Sequence, residues 1–348
     1  MIKVFLIDDS ISVRNGFKNI LDNNKDIMIL GEANNPIDAF SEFKKVGLPD
    51  VFILDIEMPK MDGLTFLKKI NTQRPTPTIM CSTLLAKGSD ALLEALSLGA
   101  FSIIEKPKTK VKDFLNEYKD NVIAQIKAAS KAHIKYKKDN SKNIKIKKEI
   151  TTKENLSHIS STKIIAIGSS TGGVQVLEEI LTDLQPSHPA IVIVQHMPMG
   201  FTNSFAKRLN GLCKNSLIVE ATDNNELKTN TIYIAPGDKH VEVVKEGFIY
   251  VIKLKDFPRV DFHKPSATVL LTSVSKIANS NAVGFILTGM GVDGAKGLLA
   301  MKNSGSQTYS QDEETSTVYG MPKAAVDLGA SMKELSIVDI TKTINKIK

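Results

Sequence analysis

The first third of the chain alternates short apolar runs with longer stretches whose apolar positions repeat at helical spacing. The runs at residues 4–7, 27–30, 51–54, 78–81 and 101–104 are short, rich in branched residues and bounded by polar turns, so they predict strands. Five successive strand–helix units imply a parallel sheet with helices on both faces. The last helix of this region starts near Val111 and is expected to run to about residue 136. Residues 137–161 then lose all periodicity, and their Lys, Asn, Ser and Thr content reads as a solvated linker. A second α/β pattern opens at Lys163, with strands expected at 164–167, 190–195, 217–220, 231–235 and 282–287. Two β-rich arms within 241–254 flank Glu246-Gly247 and predict a hairpin, and Pro265-Ser266 and Pro322 mark helix starts. The expected fold is therefore α/β, with two doubly wound parallel-sheet domains, the second carrying a β-hairpin.

Composition narrows the class. With 348 residues, 42% apolar and 24% charged, the chain suits two folded domains and excludes wholesale disorder. No apolar run approaches the ~18–20 residues of a membrane span, so direct membrane insertion is not expected. The N-terminal MIKVFLIDDS reads as a first strand and not as a signal peptide. Two cysteines, Cys81 and Cys213, are too few for a disulfide framework and fit a reducing, cytoplasmic setting. The net charge of +7 is deceptive: residues 106–163 hold 16 Lys against six acids, leaving 29 basic and 32 acidic residues elsewhere. The basic excess is thus not on a folded face, which argues against nucleic-acid binding.

Ligands of open parallel sheets bind beyond the carboxyl ends of strands. In the first region those ends carry Asp8 and Asp9, Asp55, Ser82, and Lys106 before Pro107. Converging carboxylates repel one another, and a hard divalent cation such as Mg²⁺ relieves this. Carboxylate nucleophile, cation, lysine and hydroxyl together suit phosphoryl transfer to aspartate. In the second region, Gly168-Ser169-Ser170-Thr171-Gly172-Gly173 follows an apolar strand and centres a Gly-x-Ser-x-Gly turn on Ser170. A phosphate-binding loop would need Gly-Lys-[Ser/Thr], but Val174 follows Gly173. His196 lies 26 residues after Ser170, just beyond the next expected strand, and Asp293 lies beyond a third, in GMGVDG. Three strand ends thus offer nucleophile, base and orienter. His240 and His263 remain alternatives to His196, whereas His133, His158 and His188 fall in linker, helix or loop. No cluster has zinc-ligand spacing.

The motifs carry a resemblance across nearly the whole chain. Residues 1–125 resemble a response-regulator receiver domain through Asp8-Asp9, LDIEMPKMDG at 54–63, Ser82 and Lys106-Pro107. The resemblance implies a flavodoxin-like fold and phosphorylation of Asp55 by a chemotaxis histidine kinase. It also implies Mg²⁺ held by Asp9, Asp55 and the Glu57 backbone, with Asp8 in the pocket and Ser82 and Lys106 on the phosphoryl oxygens. Many receivers carry an aromatic three residues before the lysine; here that residue is Ile103. Residues 162–348 resemble the Rossmann-like catalytic domain of the CheB family of chemotaxis protein-glutamate methylesterases. The shared stretches are AIGSSTGG at 166–173, QHMPMGFTNSFAKRLN at 195–210, YIAPGDKH at 233–240, ILTGMGVDGAKGLLAM at 286–301 and YGMPKAA at 319–325. That resemblance implies a Ser170, His196 and Asp293 triad without a cofactor, assisted by Thr171 and Met290. It implies hydrolysis of glutamyl methyl esters, and deamidation of certain glutamines, on methyl-accepting chemotaxis receptors. The protein is expected to be a cytoplasmic monomer whose receiver masks the esterase cleft until phosphorylated. A receiver-linked DNA-binding regulator and a catalytically silent interaction module are the rival readings.

Overall fold

The computed structural model describes residues 1–22, 24–82, 89–106, 111–132 and 158–347. The chain divides into two compact units, Met1–Lys142 and Asn143–Lys348. In the first, β1 (Ile2–Ile7), α1 (Ile11–Leu21), β2 (Ile27–Ala33), α2 (Pro36–Val46) and β3 (Val51–Asp55) lead into α3 (Gly63–Gln73). The unit continues through β4 (Thr78–Ser82), α4 (Ser89–Ser97), β5 (Ser102–Glu105) and α5 (Val111–Ala129). All five strands pair in parallel, in the order β2-β1-β3-β4-β5. The order reverses between β1 and β3, so Asp8 and Asp55 flank the switch point where such sheets bind ligands. A chain of edge-to-face rings, Phe5 to Phe52 at 6.3 Å and Phe52 to Phe66 at 5.5 Å, fixes β1, β3 and α3 beneath that point. α5 ends at Ala129, short of the expected 136, and residues 133–136 lie outside those described.

The second unit runs β6 (Ile164–Ser169), α6 (Gly173–Thr182), β7 (Ala190–Gln195), α7 (Phe201–Leu212), β8 (Leu217–Glu220) and β9 (Thr231–Ile234). After the hairpin β10 (His240–Glu246) and β11 (Ile249–Lys255) come α8 (Ala267–Ser275), β12 (Ala282–Ile286), α9 (Ala295–Asn303) and β13 (Gln307–Gln311). The unit closes with α10 (Met321–Asp327), β14 (Lys333–Leu335) and α11 (Ile337–Lys346). Seven parallel strands are ordered β14-β13-β12-β6-β7-β9-β8, with the hairpin as a separate two-stranded sheet. From β6 the chain winds one way to β7, β8 and β9, then returns to β12 and winds the other way. The switch point lies between β6 and β12, with β7 on the far side of β6.

The sequence pattern did not reveal β13 or β14. β13 is Gln-Thr-Tyr-Ser-Gln, yet Thr308, Ser310 and Gln311 are buried. Their polar atoms are satisfied: Thr308 donates to the Ala330 carbonyl at 2.7 Å, and Gln311 accepts from the Thr288 N–H at 2.8 Å. Most of the expected linker, residues 137–157, lies outside those described. Its last residues rest on the second unit, where the Thr229 N–H donates to the Ile159 carbonyl at 2.9 Å and the Ser161 N–H to the Leu227 carbonyl at 2.8 Å.

Candidate active site and phosphoacceptor site

At the switch point of the first sheet, carboxylate oxygens of Asp8, Asp9 and Asp55 lie within 4.8 Å of one another. Asp8 and Asp55 are buried and Asp9 is exposed. Lys106, beyond β5, sets its ammonium 2.9 Å from Asp8 and 2.6 Å from Asp55. Burial pushes the Asp55 carboxyl up to about 6, with Asp8 adding to the rise and Lys106 opposing it. Burial also raises Asp8 despite its contact with Lys106. One ammonium therefore does not balance the buried carboxylates, and further positive charge is favoured there. An all-oxygen donor set with one solvent-facing carboxylate fits a hydrated divalent ion such as Mg²⁺. Ser82 ends β4 and is buried, and Glu57 is exposed two residues past Asp55. Gly63 explains the end of the Met-Asp-Gly motif: a Cβ there would overlap the Asp55 carbonyl oxygen, and its N–H donates to Ile56 at 2.9 Å. Only glycine lets the start of α3 close against the strand end.

In the second unit Ser170 sits on the turn between β6 and α6, half-buried. Its N–H donates to Thr288 at 3.0 Å, and its carbonyl accepts from Gly173 N at 2.8 Å and Gln195 Nε2 at 2.9 Å. The turn is tight against its neighbours. A Cβ at Gly289 would come within 2.7 Å of the Ser170 Cβ, and one at Gly173 would strike the Gln195 and Ser169 side chains. Gly172 takes φ +80°, a left-handed conformation open to glycine at little cost. Among the described residues, the Thr171 and Gly172 N–H groups make no backbone hydrogen bond. They lie at the N-terminal, electropositive end of α6. The Thr171 carbonyl accepts from the Thr288 hydroxyl at 2.9 Å. Met290, beyond β12, is 38% exposed.

His196 follows β7, and its Nε2 lies 2.8 Å from Asp293 Oδ2. Asp293 is 1% exposed and seated on the start of α8. There Oδ1 accepts from the Ser266 hydroxyl at 2.7 Å and Thr268 N at 2.9 Å, and Oδ2 accepts from Ala267 N at 2.7 Å. Burial alone would raise this carboxyl; the His196 contact and the α8 donors instead hold it well below the usual carboxylate range. His196 Nδ1 is buried and makes no hydrogen bond, so the Ser170 hydroxyl is not bonded to this nitrogen. The formed half of the constellation is His196–Asp293. The serine and histidine loops are joined through the backbone instead, with His196 N donating to the Ser169 carbonyl at 3.1 Å. Hydrogen bonds between nucleophile and base are often long without substrate and tighten on binding.

Three further residues support this arrangement. Gln195 bonds the carbonyls of both Ser170 and His196 and accepts from the Ser169 hydroxyl. Ser266 caps α8 and grips Asp293; its place after Pro265 marked the helix start but not the carboxylate it receives. The His263 ring stacks on His196, centroids 3.6 Å apart and planes 10° from parallel. His240 is elsewhere engaged, stacked on Phe257 with Nε2 on the Pro258 carbonyl. Burial and the neighbouring His196 push His263 down to about 4, so it is neutral at pH 7. Because an unfolded histidine titrates near ~6.5, the unfolded chain binds the extra proton between those values. His263 should therefore support folding above pH 6.5 and erode it as pH falls toward 4. Urea unfolding at pH 7 and pH 5 should show a larger loss in the native protein than in His263→Gln; equal losses would refute this.

Two family models match the chain: the response regulator receiver domain over residues 4–116 and the CheB methylesterase over residues 165–344. The chain is 47% identical to protein-glutamate methylesterase/protein-glutamine glutaminase 3 of Leptospira interrogans, across 100% of this chain and 99% of that protein. It is 42% identical to the Shewanella oneidensis protein of the same name, across 99% of this chain and 98% of that one. Among solved structures, the Thermotoga maritima CheB methylesterase catalytic domain aligns with a TM-score of 0.52 and 36% identity, covering 54% of this chain and 99% of that one. Fold, sites and matches together define a hydrolase carrying a receiver domain. The chain belongs to the CheB family of protein-glutamate methylesterases/protein-glutamine glutaminases, the phosphorylation-regulated methylesterases of chemotaxis.

Proposed function

We propose that Ser170, His196 and Asp293 form the hydrolytic triad, acting on glutamyl methyl esters and certain glutamines of methyl-accepting chemotaxis receptors. The observation that carries this reading is the buried His196–Asp293 pair beyond the carboxyl ends of the strands, with His196 Nδ1 making no hydrogen bond and the His196 N–H joined to the Ser169 carbonyl next to Ser170. His196 Nδ1 takes the Ser170 proton as the serine oxygen attacks the ester carbonyl. N–H groups at the Ser170 turn and near Met290, with Thr171 shaping the loop, hold the oxyanion. Loss of one such donor typically lowers turnover by ~10²–10³. His196 then protonates the departing methanol, or ammonia from a glutamine. Water, deprotonated by the same ring, releases the glutamate. Asp293 remains ionised, fixes the ring tautomer and stabilises the imidazolium. No step needs a cofactor.

In the receiver, Asp55 accepts the phosphoryl group from a chemotaxis histidine kinase. Asp9, Asp55 and the Glu57 backbone would hold Mg²⁺ beside Asp8. The bound ion would supply positive charge to the phosphoryl oxygens. Ser82 and Lys106 bind those oxygens. Residues 1–125 form the receiver, 137–161 the linker and 162–348 the catalytic domain. The protein works in the cytoplasm, a reading that its two free cysteines suit, and as a monomer, since one chain carries every residue of each site. It takes no nucleic acid as partner, because its basic excess is confined to residues 106–163. Among the described residues no helix is long and apolar enough to cross a membrane. Methanol release from methylated receptor should accelerate with a small-molecule phosphodonor. Asp55→Asn, or chelation of divalent ions, should remove the acceleration and leave the basal rate; an identical response in Asp55→Asn would refute the phosphoacceptor assignment.

A further inference from the structure

The segment that carries His263 to His196 is strained and ends in an exposed aromatic. Val260 and His263 exchange backbone hydrogen bonds of 3.0 and 2.9 Å, closing a two-residue turn over Asp261 and Phe262. Both turn residues are left-handed, at φ +48° and +69°. That is the type I′ pattern, in which the second position favours glycine and disfavours a side chain as bulky as phenylalanine. Phe262 nevertheless stands there, 90% exposed. Folding gains nothing from this ring, and retained strain of this kind concentrates at functional sites.

The turn is anchored to the triad from two sides. His263 stacks on His196. Asp261 accepts from the Thr268 hydroxyl at 3.1 Å, while Thr268 N donates to Asp293 at 2.9 Å. The backbone at Phe262 is therefore held close to His196 and Asp293. It is not alone: Met199 (71% exposed), Val292 (56%) and Met290 (38%) each lie within three residues of His196 or Asp293. Just before the turn, Arg259 is exposed and makes no ion pair among the described residues, and its charge helps hold His263 low. The residues that flank the site along the chain thus combine exposed apolar side chains with an arginine that makes no ion pair among the described residues.

We infer that the Phe262 turn is the docking element for the substrate protein. Phe262, with Met199, Met290 and Val292, receives apolar side chains next to the modified glutamate. Arg259 pairs with an acidic neighbour of that residue. The occupant is the substrate because the mouth is where an ester side chain must enter to reach Ser170, and because a glutamate-bearing segment complements Arg259. This inference rests on the triad reading above.

Phe262→Gly tests it with little risk to folding, since glycine suits the left-handed position and keeps the turn. Burial of a phenylalanine contact predicts that KM for methylated receptor rises about tenfold while kcat changes by less than about threefold. Phe262→Leu should restore most of the affinity. Arg259→Gln should raise KM about threefold at low salt, a difference that fades at high salt. An unchanged KM in Phe262→Gly overturns the inference, as does an effect confined to self-association measured by sedimentation. Ser170→Ala, assayed in parallel, separates the outcomes: if it is inactive while Phe262→Gly binds normally, only the docking role fails.

Discussion

Ser170→Ala is expected to reduce methanol release from methylated receptor by about 10⁶-fold, as removal of a triad nucleophile does in serine hydrolases. The variant should fold normally. The framework bonds of the turn use the Ser170 backbone, its N–H to Thr288 at 3.0 Å and its carbonyl from Gly173 at 2.8 Å, and none is made by its hydroxyl among the described residues. Phosphate incorporation at Asp55 should be unchanged, because that site is built entirely within the first unit. A serine-directed covalent probe should label the native protein and not the variant. Ester hydrolysis persisting in Ser170→Ala would overturn the nucleophile assignment, and with it the catalytic reading of the glycine-rich turn.

Asp293→Asn should also be damaging, by either of two separable routes. The carboxylate accepts from four donors: His196, Ser266, Ala267 and Thr268. An asparagine has one acceptor oxygen and must turn its NH₂ toward one pair of these donors. If the NH₂ meets His196, the ring loses the partner that fixes its tautomer, and kcat should fall by about 10⁴. If it meets Ser266 and Thr268, the start of α8 loses its acceptor, at roughly 1–3 kcal/mol of stability. Steady-state kinetics and urea unfolding distinguish the two. Asp293→Asn retaining activity within tenfold, with unaltered stability, would show that the buried pair is not part of the machinery.

Most of the strands announce themselves in the sequence because parallel strands buried on both faces are continuous apolar runs. β7 and β8 match their expected bounds, residues 190–195 and 217–220. β13 escaped because its buried side chains are Thr, Ser and Gln, polar groups that only folded partners satisfy. β14 escaped because three residues at a sheet edge carry no periodicity. The same division holds at the sites. Asp8, Asp9, Asp55, Lys106, Ser170, His196 and Asp293 were each legible as polar residues punctuating an apolar strand end. His263 was visible only as one of three candidate bases, and nothing in the linear spacing distinguished a ring stacked on His196 from a rival to it.

The sequence by itself determined most of the strand–helix order, the presence of two parallel sheets and the strand ends that carry chemistry, because apolar periodicity and glycine placement act locally. Only the tertiary structure decided which nitrogen of His196 faces Asp293, that α8 presents three donors to that carboxylate, and that Lys106 is shared by Asp8 and Asp55. Those choices depend on burial and on donors tens of residues away. In water each of these groups would be solvated independently; once desolvated, each has only the partners that the fold provides.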